Sequence, residues 1–215
     1  MARGGMVLRR FVCILAFIIG FCGVANATPF AFRCITNNSA TDCGIGEAQL
    51  WVDVLANGNS QVDFVFHNRG PQDSSITDVY FADGTLLGIA AIYNGSGVSF
   101  SQWATPGNLP GGKSIGFNTT SGFSADSDSP VQPNGVNQGE DLTIRFNLIN
   151  GKTYSDTLDA LQNGSLRIGI HVQGFVSGGS ESFVNNPTPI PEPGSAVLIG
   201  CGLALLGALA RRKRR

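Results

Sequence analysis

The sequence predicts a mainly β protein: an antiparallel β-sandwich, or its jelly-roll variant, with one short helix. Three observations carry this. Apolar and polar residues alternate in stretch after stretch, most clearly with Leu142, Ile144, Phe146 and Leu148 set against Asp141, Thr143, Arg145 and Asn147, the period of a strand with one buried face. Asn57-Gly58-Asn59, Asp83-Gly84 and Asn94-Gly95 fall between such stretches, where tight hairpin turns need residues that tolerate positive φ. A single segment, near residues 155–164, combines helical spacing with start and stop signals.

The chain opens with Arg3, Arg9 and Arg10, an apolar stretch from Phe11 to Val24, and Ala25-Asn26-Ala27. A charged head, a short apolar run and an Ala-x-Ala site form a signal peptide over residues 1–27, with Sec translocation and signal peptidase as its partners and the cut after Ala27. Removing that segment sorts the five cysteines. Cys13 and Cys22 leave with it, Cys201 lies in the apolar tail, and Cys34 and Cys43 stay in the body. In an oxidising compartment this pair is expected to close, without a metal, because no nearby His completes a site.

The body is expected to be one domain over residues 28–184. Thr28 to Gly46 reads as a polar loop. Leu50, Val52 and Val54 share one face of a strand within 48–55, and Val62, Phe64 and Phe66 share one face of its hairpin partner within 61–67. Pro71 to Ser75 is a turn, and strands follow at 77–81, 85–93 and 97–103. Residues 104–140 are dense in Gly, Pro, Ser and Asn, with one expected strand at 114–117; a loop of that length is usually functional or mobile. Strand 141–148 comes next, then a helix with Ser155 as its N-cap and Asn163-Gly164 as its stop, then strands at 166–173 and 181–184.

Pro187, Pro189, Pro191 and Pro193 alternate through 185–193, which predicts an extended spacer. After the spacer come an apolar run at 194–210, expected to be a transmembrane helix, and the basic tail Arg211, Arg212, Lys213, Arg214 and Arg215, which stays cytoplasmic by the positive-inside rule. The run reaches only about 25 Å as a helix, short of a roughly 30 Å hydrocarbon core. Ala196, Gly200, Ala204 and Ala208 recur every fourth residue and make a face that another helix can approach closely.

Motif, span and basic tail in this order, with Pro191-Glu192-Pro193 intact, resemble the PEP-CTERM sorting signal of Gram-negative bacteria. The resemblance covers the last 25 residues. It implies export, transient inner-membrane anchoring, processing by an exosortase-type membrane protease, and delivery to the cell surface or the exopolysaccharide matrix.

Between Thr28 and Pro193 the chain has six basic and 15 acidic residues, a formal −9. That balance argues against nucleic acid and anionic membranes as partners. His67 and His171, the only histidines, occupy polar strand positions, and no nucleophile elbow accompanies them. Glu47, Glu140, Asp141 and Glu181 could supply paired carboxylates, but no hydrolase pattern surrounds them. Asp126-Ser127-Asp128 has the alternating oxygens of a calcium loop without its Gly and Glu, so a solvated acidic loop is expected, with Asp126 and Asp128 as weak metal candidates and no cofactor required. Among Trp51, Trp103, Tyr80 and Tyr93, Trp51 is expected in the core, while Trp103 suits either the core or a sugar-stacking platform. The Asn-x-Ser/Thr matches at Asn37, Asn94, Asn118 and Asn163 are incidental in a bacterial export route. The expected function is non-enzymatic, a structural or interaction role in the matrix, with a carbohydrate-binding module as the alternative and a secreted hydrolase as the remote one.

Overall fold

Ten strands pair edge to edge in one antiparallel sheet. The computed structural model describes residues 27–189, with β1 (Thr28–Cys34), α1 (Ala40–Gln49), β2 (Leu50–Asn57), β3 (Gln61–Asn68), β4 (Ser75–Ala82), β5 (Leu86–Asn94), β6 (Phe100–Gln102), a 3₁₀ turn (Gly112–Ile115), β7 (Ser124–Ser127), α2 (Val131–Asn134), β8 (Asp141–Leu148), α3 (Tyr154–Asn163), β9 (Arg167–Gln173) and β10 (Glu181–Pro189). The strand order is β5-β8-β3-β2-β1-β10-β9-β4-β7-β6. This corrects the two-sheet expectation: a single sheet curls until its end strands almost meet. At the seam the Asn94 side chain replaces a ladder, accepting from the Phe100 amide at 3.0 Å and donating to the Phe100 carbonyl at 3.3 Å. Near-closure of this kind shelters strand edges that would otherwise recruit other chains.

Opposite walls of this flattened barrel meet through aromatic rings. Phe81 of β4 lies 4.7 Å from Phe146 of β8 and 5.0 Å from Phe64 of β3, both edge-to-face, the arrangement that ring quadrupoles favour. Val62, Phe64 and Phe66 are buried, as their alternation requires, and so are Leu142, Ile144 and Phe146. The β2–β3 hairpin runs in register from Leu50↔Asn68 to Asn57↔Gln61.

The N-terminal loop expected over 28–46 is instead a central strand and a helix. In β1, Phe30 and Phe32 point into the core, a two-residue alternation too short to register beside Pro29. Helix α1 has two glycines in its interior, a composition that forms no helix alone. Ser39 caps it by accepting from the Asp42 amide, Cys43 is tied to Cys34 by a disulfide, and a Cβ at Gly46 would overlap the Phe183 ring. Tertiary contact selects this helix.

Helix α3 forms where helical spacing places it, with its cap two residues earlier than Ser155. Thr153 and Asp156 make a reciprocal capping box, and Gly164 closes the helix at φ 80°. β10 continues past Val184 to Pro189, pairing Asn185 with Phe32 and Pro189 with Phe30. Residues 185–189, expected as spacer, therefore belong to the sheet.

Most of the 104–140 stretch is ordered by packing. A 3₁₀ turn takes the place of the strand expected at 114–117, while the acidic loop expected near Asp126 is strand β7. Residues 104–120 fold as a flap over the outer face of the sheet, where Ala104, Leu109 and Phe117 bury themselves against Tyr80 and Val184. Gly169 makes room for it, since a Cβ there would stand 2.6 Å from Leu109 Cδ2 and 3.1 Å from the Phe117 ring. β4 is consequently buried on both faces.

Candidate functional site

Cross-strand register builds a polar row beside the flap. Ser182 of β10 lies opposite His171 of β9, His171 opposite Asp78 of β4, Asp78 opposite Asp126 of β7, and Asp126 opposite Ser101 of β6. Paired residues of adjacent strands share a face, so the row crosses five strands on the outside of the sheet. One step along, Val184, Gly169, Tyr80 and Ser124 form the parallel row that the flap covers. Ser182 and Asp78 are buried, His171 and Asp126 half-buried, and Ser101 exposed.

Asp78 is 4% exposed and its carboxyl is pushed up from 3.8 to about 7. Burial is the main cause and the Asp126 carboxylate adds to it, while the Thr77 hydroxyl, donating at 2.9 Å, works against both. The Tyr80 phenol is pushed up by burial and then by these two carboxylates, and it donates to the Pro106 carbonyl at 3.0 Å, tying the flap to β4. His171 is pushed down by burial, with Glu181 opposing. Its Nδ1 is 3.1 Å from Ser182 Oγ, so Ser182, His171 and Asp78 stand side by side. They do not form a nucleophilic triad: Ser182 is fully buried, and no hydrogen bond joins His171 to Asp78 among the described residues.

Just past β6, Trp103 is 63% exposed although its backbone is fixed. Its amide donates to the Ser124 carbonyl at 2.9 Å, and its φ of 80° is one that a bulky side chain adopts only under constraint. The indole rests on Gly122, where a Cβ would stand 3.4 Å from Cη2. Gln102 beside it is held by donation to the Gly122 carbonyl at 2.7 Å. Asp126 accepts from the Thr105 amide at 3.3 Å, and Asp128 accepts from the hydroxyls of Ser99 and Ser101 at 2.6 and 2.9 Å, which hold its carboxyl below the usual range. The two weak metal candidates therefore lie with Ser101 on the outer face, within and just beyond β7. They bind hydroxyls and an amide and do not form the spaced oxygens of a calcium loop.

A second polar group occupies the opposite outer face. His67 is boxed in, which corrects the solvated position expected for it. Its Nδ1 is 2.5 Å from Asp141 and its Nε2 3.0 Å from Asp53, and its ring stacks on Trp51 at 5.0 Å. Trp51 therefore lies on the outside of β2, not in the core. Arg69 pairs with Asp141 and Arg145 with Asp63, and Arg145 also covers the exposed Tyr93 ring at 4.7 Å. Each carboxylate of this cluster has a basic partner, so the cluster braces β2, β3 and β8. Tyr80, the remaining platform candidate, is buried beneath the flap.

Glu181 is structural. It is fully buried at the start of β10 and accepts from Thr36 Oγ1 at 2.5 Å, the Asn38 amide at 3.0 Å and the Ser39 amide at 2.6 Å, anchoring the entry to α1. Its carboxylate lies within ligand reach of Cys34 and Cys43, but the disulfide occupies both sulfurs. Glu47 accepts from the Cys34 amide, and Glu140 caps the turn at Asn137.

Ala25, the Pro191-Glu192-Pro193 motif, the small face Ala196, Gly200, Ala204 and Ala208, and the basic residues 211–215 lie outside the described residues. Among the described residues no helix is long and apolar enough to cross a membrane. No family model matches the chain, and neither a curated protein nor a solved structure matches it.

Proposed function

We propose that this chain is exported, sorted by its C-terminal segment to the cell surface or extracellular matrix, and acts there as a non-enzymatic protein that contacts polysaccharide. The observation that carries the contact is Trp103, an exposed indole on a constrained backbone, resting on Gly122 with the Gln102 amide beside it. A flat apolar face with polar groups at its border is the chemistry that fits a pyranose ring, and a ring held in place loses little freedom on binding. Retention of the full chain on immobilised polysaccharides, tested against Trp103→Ala, decides it. Wild-type retention that the variant loses supports the reading; no retention, or equal retention of both proteins, overturns it.

The leader, the Cys34–Cys43 disulfide and the tail layout support the export route, with Sec translocation and signal peptidase at the N-terminus and an exosortase-type protease at the C-terminus. Mass spectrometry of surface-exposed protein should find a new N-terminus at Thr28 and a C-terminus near Pro193. An intact tail on that protein would refute processing. A helix face of Ala196, Gly200, Ala204 and Ala208 suits brief docking inside a membrane enzyme, and Gly200→Leu should block processing without blocking export.

A further inference from the structure

The two cysteines of the body have a third neighbour that their spacing in the chain does not reveal. β1 pairs with β10 so that Cys34 lies opposite Phe183, and Glu181 at the start of β10 turns its carboxylate toward the sulfurs. Oε2 is 3.7 Å from Cys34 Sγ, and one ligand atom from each of Cys34, Cys43 and Glu181 falls within 4.8 Å of the others. Around zinc, with bonds of about 2.3 Å to sulfur and about 2.1 Å to oxygen, a tetrahedral sulfur–oxygen edge is about 3.6 Å long. The Cys34–Glu181 spacing already matches that edge. The carboxylate is also oriented before any ion arrives: Oε2 accepts from the Thr36 hydroxyl and the Asn38 amide, and Oε1 from the Ser39 amide, outer contacts of the kind that fix a metal ligand. Glu181 and Cys43 are buried and Cys34 half-buried, which shelters the group and leaves an approach beside Cys34. The Cα atoms of the two cysteines stand 5.4 Å apart, so both sulfurs reach one ion by side-chain rotation.

We infer that the reduced chain binds one zinc ion, or a divalent metal of similar softness, between Cys34, Cys43 and Glu181, with water in the fourth position. A dithiol supplies the reduction: it gives two electrons and two protons to the Cys34–Cys43 bond, which opens to two thiols, and closes a disulfide of its own. The ion then displaces both thiol protons to solvent and bonds to two thiolates and the Glu181 carboxylate. The ligands gather three negative charges, and the dication offsets two of them in a sheltered site. Thiolate ligands exclude calcium and magnesium, which take oxygen. The metal and the disulfide are alternative ties for the same helix. The disulfide joins α1 to β1; the ion joins α1 to β1 and β10 together, and keeps α1 docked when the thiols are free.

The test uses the full chain in mild detergent with Cys13→Ser, Cys22→Ser and Cys201→Ser, so that this pair supplies the only thiols. The protein is reduced with a dithiol, desalted without oxygen, and titrated with cobalt(II), whose absorption reports thiolate ligation, and then with zinc. The reduced chain should bind about one ion and release about two protons per ion, and the oxidised chain should bind none. Zinc should also restore most of the thermal midpoint lost on reduction. Cys34→Ser and Cys43→Ser should each lose the two-thiolate absorption, and Glu181→Gln should bind cobalt about tenfold or more weakly. X-ray absorption of the zinc-loaded chain needs no substitution at Glu181, so it decides the ligand set even if that variant folds poorly. It should show two sulfurs at about 2.3 Å with oxygens at about 2.0–2.2 Å. No binding by the reduced chain overturns the inference. Equal affinity in a folded Glu181→Gln leaves the ion on the thiols alone and overturns the three-ligand site. Four sulfurs around zinc would mean that two chains share the ion, and would overturn it too.

Discussion

Asp78→Asn should stabilise the protein at alkaline pH, and its effect should disappear in acid. Asp78 is buried on β4, facing Asp126 on β7 and His171 on β9, with Thr77 and Tyr80 beside it. Because its folded-state pKa is raised, the native state holds this proton more tightly than the unfolded chain does. Between 3.8 and about 7 the native state therefore binds more protons, and stability falls as pH rises through that window, then levels off. At about 1.36 kcal/mol per pH unit the full difference is about 4 kcal/mol. Asn keeps the shape, accepts from Thr77 and donates to Asp126, but never ionises. The variant should match wild type or trail it slightly near pH 4 and exceed it by up to about 4 kcal/mol near pH 8. His171 titrates in the opposite sense: burial lowers its pKa from 6.5, so its contribution is present above about 6.5 and lost as pH falls. It is common to both proteins and cancels in the comparison. Urea midpoints at pH 4, 6 and 8, with unchanged m-values, give the difference directly. A wild-type-minus-variant difference that stays within about 1 kcal/mol across that range would show that Asp78 is charged throughout, and the reasoning would fail.

Three further outcomes follow from the packing. Glu181→Ala removes the buried acceptor of the part-buried Asn38 and Ser39 amides and should cost about 1–3 kcal/mol; no measurable shift in the urea midpoint would mean water replaces the carboxylate. Gly169→Val should lift Leu109 and Phe117 off the sheet while sparing the main core, so limited proteolysis should cut within residues 104–120 although the fold persists; protease resistance equal to wild type would refute the flap contact. Cys34→Ser with Cys43→Ser opens a loop of about ten residues and should cost roughly 2.7 kcal/mol, read as a lower thermal midpoint that reducing agent reproduces in wild type and does not lower further in the double variant.

How much was legible in the sequence depends on whether the information was local. The alternation in β2, β3, β8 and β9 is a property of each strand by itself, because side chains point to opposite faces at every second residue. The hairpin at Gly58 and the stop at Gly164 rest on single residues able to adopt positive φ. The pairing of Cys34 with Cys43 follows from counting cysteines by segment. The elements misread at 28–49, 124–127 and 185–189 had no such signal. Helix α1 depends on Cys34, Ser177 and Glu181, the last two more than 130 residues away. β1 depends on strands from both ends of the chain, β7 is four residues long, and residues 185–189 are held in the sheet by β1 despite their prolines.

The functional groups divide in the same way. The sequence by itself determined the acidic body and the presence of an uncommitted Trp103, and it carries the expectation of a leader and a sorting tail, because charge, hydropathy and motif order need no third dimension. Only the tertiary structure decided that Asp78 meets Asp126 across 48 residues of chain, that His67 is boxed in while Ser182 is buried, and that Trp103 is exposed on a fixed backbone. Strand register between distant segments sets each of these, and register is fixed by how the whole sheet buries its inner face, which no single stretch encodes.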